Sequence, residues 1–134
     1  MATFQIGQTA ELSKTIRDAD VRLFAELSLD TNPVHLSEEY AAGSLFGQRI
    51  SHGMLYASLI SAVLGTQLPG PGCIYLGQTL KFSKPVFIDD TVTARVEITA
   101  LDELKRIVTL TTTCFNQHGQ PVLTGEAVLK YAAG

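Results

Sequence analysis

An acid, an amide and an imidazole occur within one six-residue stretch, at Asp30, Asn32 and His35. A carboxylate and an imidazole that converge can hold a water molecule, since the carboxylate accepts a hydrogen bond and the imidazole takes or returns a proton near neutral pH. On a regular helix these two residues would point about 140° apart. Because Pro33 disfavours helical geometry at Asn32, a bend could bring them together. The residues alone leave a structural alternative open, in which Asp30 caps the turn and His35 is half-buried.

The segment from His52 to Leu64 is predicted to be the central helix, ending at Gly65. Its apolar residues surround the helix, which is typical of a helix buried on most sides, and it is shorter than the roughly 20 residues that cross a bilayer. The first N–H groups of a helix have no partner within it and carry partial positive charge. Gly53 could therefore bind an oxygen that becomes negative during a reaction, with no Cβ in the way.

Four other polar residues could have functional or merely structural roles. The Ser61 hydroxyl either faces a cavity and binds a polar group of a substrate, or bonds back to a carbonyl of its own helix. His52 could simply bond its own backbone at the helix start. We expect His118, in a turn, and Glu126, opposite the apolar face of a strand, to be solvated.

The elements around these residues change from helical to extended along the chain. In the first part of the chain, an edge strand is predicted within residues 4–16. A helix capped by Asp18 is predicted to run to Ser28, and a short helix to cover 38–42 between Ser37 and Gly43. From Cys73 onward the apolar period changes to two. Strands are predicted over residues 74–82, 91–100, 106–115 and 122–131, with a turn at 117–120. Early helices and late strands joined by short turns predict an α+β hot-dog fold, a curved antiparallel sheet around one central helix.

Composition and charge limit the possible functions. The chain has 134 residues, 46% of them hydrophobic, which predicts one globular domain over residues 1–134. A net charge of −3 argues against nucleic acid as a partner, and we expect isolated basic residues such as Arg49 and Lys84 to be solvated. Cys73 and Cys114 form no CxxC pair, so we expect neither a metal site nor a disulfide, and a reducing, cytoplasmic location. Residues 1–16 show no signal-peptide pattern.

Several motifs resemble one family. The segment Asp30-Thr31-Asn32-Pro33-Val34-His35, followed by Ala41, resembles the hydratase-2 motif of the MaoC-like, (R)-specific enoyl-CoA hydratases. The segments over 50–55, 74–78 and 81–86 resemble that family in the same order, so the likeness covers essentially the whole chain. It is greatest to the short bacterial PhaJ-type hydratases. Leu29 departs from the pattern, since many members have a small or polar residue before the acid.

The resemblance implies a hot-dog homodimer that adds water reversibly to trans-2-enoyl-CoA and yields (R)-3-hydroxyacyl-CoA for polyhydroxyalkanoate synthesis, with no metal or other cofactor. Asp30 and His35 would activate the water, supported by Asn32, and the Gly53 N–H would bond the thioester oxygen. Ser61 matches a serine of the family's active site. Two leucines match positions that shape the acyl pocket in relatives, and their bulk suggests short to medium chains: Leu64 and Leu129.

Two alternatives remain open from the sequence. A hot-dog acyl-CoA thioesterase would share the architecture, but such enzymes place an acid on or near the central helix, and residues 52–64 contain none. A non-catalytic acyl-CoA-binding regulatory module would have no need of a converging acid and histidine. Neither nucleic acid nor a membrane is an expected partner.

Overall fold

The computed structural model describes residues 3–133, and its helices precede most of its strands. The first strand is followed by four helices and then by five strands. In chain order they are β1 (Thr9–Thr15), α1 (Asp18–Ser28), α2 (Pro33–Leu36), α3 (Glu38–Ala42), α4 (Gly53–Thr66), β2 (Ile74–Gln78), β3 (Lys81–Phe82), β4 (Thr91–Asp102), β5 (Ile107–Phe115) and β6 (Pro121–Lys130).

The strands form one antiparallel sheet in the order β1-β4-β5-β6-β2, with β3 pairing the other end of β6. β4, β5 and β6 are long neighbours joined by short turns, and β1 lies at one edge as the sequence predicted. Their burial alternates along β4 and β5, which gives the sheet one apolar face. This face covers α4, which packs against β4, β5 and β1. The predicted α+β hot-dog architecture is confirmed.

α4 is buried over most of its circumference, as its sequence predicted. The helix continues through Gly65 to Thr66, so the predicted stop at Gly65 is wrong. A glycine inside a helix costs only about 1 kcal/mol relative to alanine. The apolar side chains around it outweigh that cost because they join the core between helix and sheet: Tyr56, Ala57, Leu59, Ile60, Val63 and Leu64.

The start of α1 differs by one residue from the prediction. The cap is Arg17, whose backbone N–H donates to Asp20 Oδ2 at 2.9 Å, and Asp18 is the first helical residue. Acidic side chains near a helix start interact favourably with its partial positive charge, so Asp18 still stabilises the start of α1 without capping it. α3 has the predicted cap: the Ser37 hydroxyl accepts from the Tyr40 N–H at 3.1 Å.

β2 is largely exposed, although it lies in a strand predicted from a period of two. Its apolar residues Ile74 and Leu76 are 59% and 55% exposed. β2 is the edge strand next to β6. No strand of the described residues pairs with its outer side, and these side chains remain exposed there. Within the described residues, no helix combines the length and the apolar character that crossing a membrane requires.

Candidate active site

The segment between α1 and α2 makes the bend that the sequence suggested. Leu29 ends α1 in the left-handed conformation, with φ of 67°. The Asn32 N–H then donates to Asp30 Oδ1 at 3.3 Å, and Asn32 Oδ1 accepts from the Val34 N–H at 3.2 Å. Asn32 is therefore the N-cap of α2, with Pro33 at the first helical position. These local contacts turn the chain between Asp30 and His35.

His35 is held by the loop that leads into α4. The Ile50 N–H donates to the Val34 carbonyl at 3.3 Å, and His35 Nδ1 lies 2.8 Å from the Ile50 carbonyl. A carbonyl oxygen only accepts, so Nδ1 carries the proton and Nε2 is left as the free ring nitrogen. His35 is 8% exposed, and burial lowers its pKa below the ordinary 6.5. The imidazole is thus held neutral, with a lone pair for a proton.

His52, immediately before α4, completes the cluster. Its side chain does not cap the helix; instead Nε2 lies 2.9 Å from the Asp30 carbonyl oxygen. Its ring stacks on the His35 ring, with centroids 3.9 Å apart and planes inclined by 29°. Polar atoms of Asp30, His35 and His52 all lie within 4.8 Å of one another. The structure therefore brings the predicted acid and imidazole together, and adds a second imidazole.

The stacking bears on whether this trio would hold a metal ion. Ligands of one ion must direct their lone pairs at a common point. Lone pairs of imidazoles lie in the ring planes, so the stacked planes of His35 and His52 place them side by side. This geometry favours proton transfer and hydrogen bonding over shared coordination.

A cavity of about 420 Å³ opens beside the cluster and is lined by residues of the bend before α2 and of the segment that leads into α4. Gly53 lies in its wall at the start of α4, where the first N–H groups have no partner within the helix. A Cβ added to Gly53 would lie 2.6 Å from the Phe82 ring, so Phe82 fills the place of the missing side chain. Sequence reasoning gave only substrate approach as the reason for this glycine. The other lining residues include Phe46, Ile50, Ser51, Met54, Tyr56, Ser83, Lys84 and Pro85.

Arg49 is not the solvated charge that the sequence suggested. It is 8% exposed, its Nε donates to the His35 carbonyl at 2.7 Å, and its Nη2 lies 2.6 Å from Asp18 Oδ1 in an ion pair. Arg49 therefore connects the start of α1 to the backbone of α2. No local pattern predicts this role, because the partners lie 14 and 31 positions away along the chain.

A second cavity, of about 450 Å³, lies along the next turns of α4. Ser61 lines it together with β2 residues such as Tyr75 and Gln78, and Met54 lines both cavities. Leu64 and Leu129 are fully buried in the core and are not among the residues that line either cavity. Leu129 pairs in the sheet with Tyr75, so it lies beside a residue that lines the second cavity.

Residues 3–118 match the family described as the MaoC like domain. The chain belongs to the MaoC-like family. It is 56% identical over 128 residues to an (R)-specific enoyl-CoA hydratase of Aeromonas caviae, covering 96% of each chain. It is 55% identical over 127 residues to the (R)-specific enoyl-CoA hydratase of Rhodospirillum rubrum, covering 95% of this chain and 88% of that one. A solved structure of an (R)-hydratase from A. caviae involved in PHA biosynthesis superposes with a TM-score of 0.95 at 54% identity, over 98% of this chain and 100% of that chain.

Proposed function

We propose that this MaoC-like protein, as one domain over residues 1–134, hydrates trans-2-enoyl-CoA reversibly to (R)-3-hydroxyacyl-CoA and supplies monomers for polyhydroxyalkanoate synthesis. It is an (R)-specific enoyl-CoA hydratase, as its identity to named hydratases over most of the chain indicates. One observation carries the catalytic proposal: the cavity that contains Asp30 and His35 also contains the start of α4 at Gly53. Hydration needs these two parts, one for the water and one for the thioester oxygen.

The first part acts on the water. Asp30 accepts a hydrogen bond from it, and His35 Nε2, the ring nitrogen left free by the Ile50 contact, takes its proton. The water oxygen forms a bond to Cβ of the enoyl group while the C=C electron pair moves toward the thioester. The proton held by the imidazole is then returned to Cα, so that one water is added across the double bond. Positioned acid–base catalysis of this kind contributes about 10²–10⁴-fold.

The second part stabilises the enolate. As the C=C electrons move, negative charge accumulates on the thioester oxygen, and the Gly53 N–H at the helix start is the donor we assign to it. The His52 side chain does not occupy the amides of this turn. An oxyanion donor in a site that excludes water lowers the activation barrier by roughly 3–4 kcal/mol. The helix end adds partial positive charge to the same place.

The acyl chain would occupy the second cavity, where the Ser61 hydroxyl binds a polar group of the substrate and Leu64 and Leu129 shape the pocket from the adjoining core. Because β2 forms one wall with an open edge, we propose that a second copy completes this wall in a homodimer. Exposed apolar side chains on β2 support this arrangement. Cys73 and Cys114 are free thiols, which supports a reducing, cytoplasmic compartment.

The test is turnover of enoyl-CoA thioesters by the purified protein and by Asp30→Asn. The wild type should remove the enoyl absorbance of crotonyl-CoA and give the (R)-3-hydroxy product on chiral analysis. Asp30→Asn should lose about 10²–10⁴-fold in kcat, because its amide is a poorer acceptor for the water. The matched control, Asp89→Asn, changes an exposed acid outside the site and should leave kcat unaltered.

Absence of wild-type turnover would reject the proposal, and so would either of two further results. One is full turnover by Asp30→Asn in a protein that unfolds like the wild type. The other is release of free CoA thiol in step with loss of the enoyl group, which would identify a thioesterase instead. A series of acyl chain lengths then measures which substrates the second cavity admits.

A further inference from the structure

His52 has contacts that the proposed mechanism does not use. It is 2% exposed, yet its side chain neither makes a cap hydrogen bond to α4 nor takes a proton from the water. Its Nε2 contacts the Asp30 carbonyl at 2.9 Å, and its ring packs against those of His35 and Phe24, with centroids 3.9 and 4.9 Å away. His52 thus contacts two of the three proposed catalytic residues, Asp30 and His35, and directly precedes the third, Gly53.

The contact to Asp30 fixes the tautomer of His52. The carbonyl oxygen can only accept, so Nε2 must carry the proton. Nδ1 is buried and has no hydrogen-bond partner among the described residues, so no contact of the folded chain favours a proton there. The Nε2–H donor therefore joins the backbone of Asp30 to the start of α4.

The joined segment is otherwise weakly held. Asp30 is exposed, it follows a left-handed residue, and its own turn contacts are long, at 3.2 and 3.3 Å. The 2.9 Å contact from His52 is the shortest hydrogen bond found at the Asp30 backbone within residues 3–133. A misplacement of about 1 Å in a catalytic group can cost 10²-fold in rate.

We infer that His52 is a positioning residue, which holds the Asp30 carboxylate at its working distance from His35 and Gly53 by donating from Nε2 to the Asp30 carbonyl. The role rests on the proposed function, since it acts on the groups assigned there. It touches no reacting atom. Loss of the donor should therefore lower kcat while the affinity for the CoA thioester is retained.

Three substitutions separate the donor from the ring. The amide nitrogen of His52→Gln reaches the position of Nε2, whereas that of His52→Asn reaches only the position of Nδ1; His52→Phe keeps the stack without a donor. His52→Asn and His52→Phe should lose about 10–100-fold in kcat with little change in KM. His52→Gln should recover most of kcat. Equal kcat in all three variants, or a loss confined to KM, would overturn the inference.

A measurement on the wild type keeps the inference testable if the variants do not fold. Two-bond ¹H–¹⁵N correlation of the histidine ring at alkaline pH reports the tautomer of each neutral imidazole. His52 should be protonated at Nε2 and His35 at Nδ1, and an Nδ1–H tautomer at His52 would refute the contact to Asp30. Since this readout needs no substrate, it separates a failure of the inference from a failure of the hydratase proposal, which absence of wild-type turnover would reveal.

Discussion

Burial and charge act on His35 in opposite directions. Burial is the largest influence and lowers its pKa; the hydrogen bond to the Ile50 carbonyl then raises it, the His52 ring lowers it, and the Asp30 carboxylate raises it. The net direction is downward from 6.5, so burial prevails. At neutral pH the imidazole is therefore uncharged, the form that can take a proton from water.

This balance gives the pH dependence a definite sign. Activity should be constant through neutral pH and fall only as pH drops through the lowered pKa of His35, below 6.5. The stability contributed by neutral His35 is likewise present above 6.5 and lost as pH falls through the same pKa. Titration of the His35 C2 proton by NMR, with kcat/KM measured in parallel, tests both statements.

Asp30→Asn is the matched variant for this titration. It removes a charge that raises the pKa of His35, so the titration should move to still lower pH. A midpoint at or above 6.5 in the wild type, or an upward shift in the variant, would contradict this account.

At the scale of elements, the ion pair of Asp18 and Arg49 joins α1 to the segment that carries His35. The adjacent Arg49 guanidinium, followed by that of Arg22, holds the pKa of Asp18 below 3.8. The pair is asymmetric, because Arg49 is buried whereas the Asp18 side chain is 48% exposed. Removal of Asp18 would leave the buried Arg49 cation without its acidic partner. Removal of Arg22 would leave no buried charge unpaired.

Asp18→Ala should therefore lower the free energy of unfolding by about 1–3 kcal/mol, the cost of an unpaired buried polar group. Arg22→Ala, which removes the exposed partner of the same acid, should cost at most about 0.5 kcal/mol. Urea unfolding near neutral pH measures both. The difference in unfolding free energy between the two variants should narrow as pH falls below 3.8, because Asp18 becomes protonated in that range. Equal unfolding midpoints for the two variants at neutral pH would show that the Asp18–Arg49 pair contributes nothing to stability.

The elements also show which features local sequence can predict. The bend before α2, the Ser37 cap and the period-two strands depend on neighbouring residues, and the chain alone sufficed to predict them. The burial of Arg49 and the contact of His52 with Asp30 depend on residues far along the chain. Tertiary packing likewise extends α4 beyond Gly65, where the local signal predicted an end. Leu29, flagged as unusual in the sequence, ends α1 with positive φ, a conformation that a leucine rarely adopts.

At the scale of the whole molecule, the second cavity lies at the open edge of the sheet, because the edge strand β2 forms one of its walls. β2 supplies four of the residues that line the cavity, and its outer edge has no strand beside it within the described chain. Ile74, Tyr75 and Leu76 remain substantially exposed there. An apolar edge strand is a surface on which chains associate, so pairing with a second β2 would cover the edge and enclose the cavity together.

Leu76→Lys tests that arrangement. In a symmetric dimer the change occurs twice, so association should weaken by about 3–6 kcal/mol, the value of two buried leucines. Leu104→Lys is the matched control: Leu104 is 99% exposed in the β4–β5 turn, and its substitution should leave association unchanged. Analytical ultracentrifugation over a dilution series gives the dissociation constant. If the dimer encloses the acyl cavity, turnover of Leu76→Lys should fall on dilution, more steeply for longer acyl chains, while the control stays constant. A wild type that sediments as a monomer would refute the dimer and leave the cavity to a single chain. A Leu76→Lys protein that remains dimeric would place the interface away from β2.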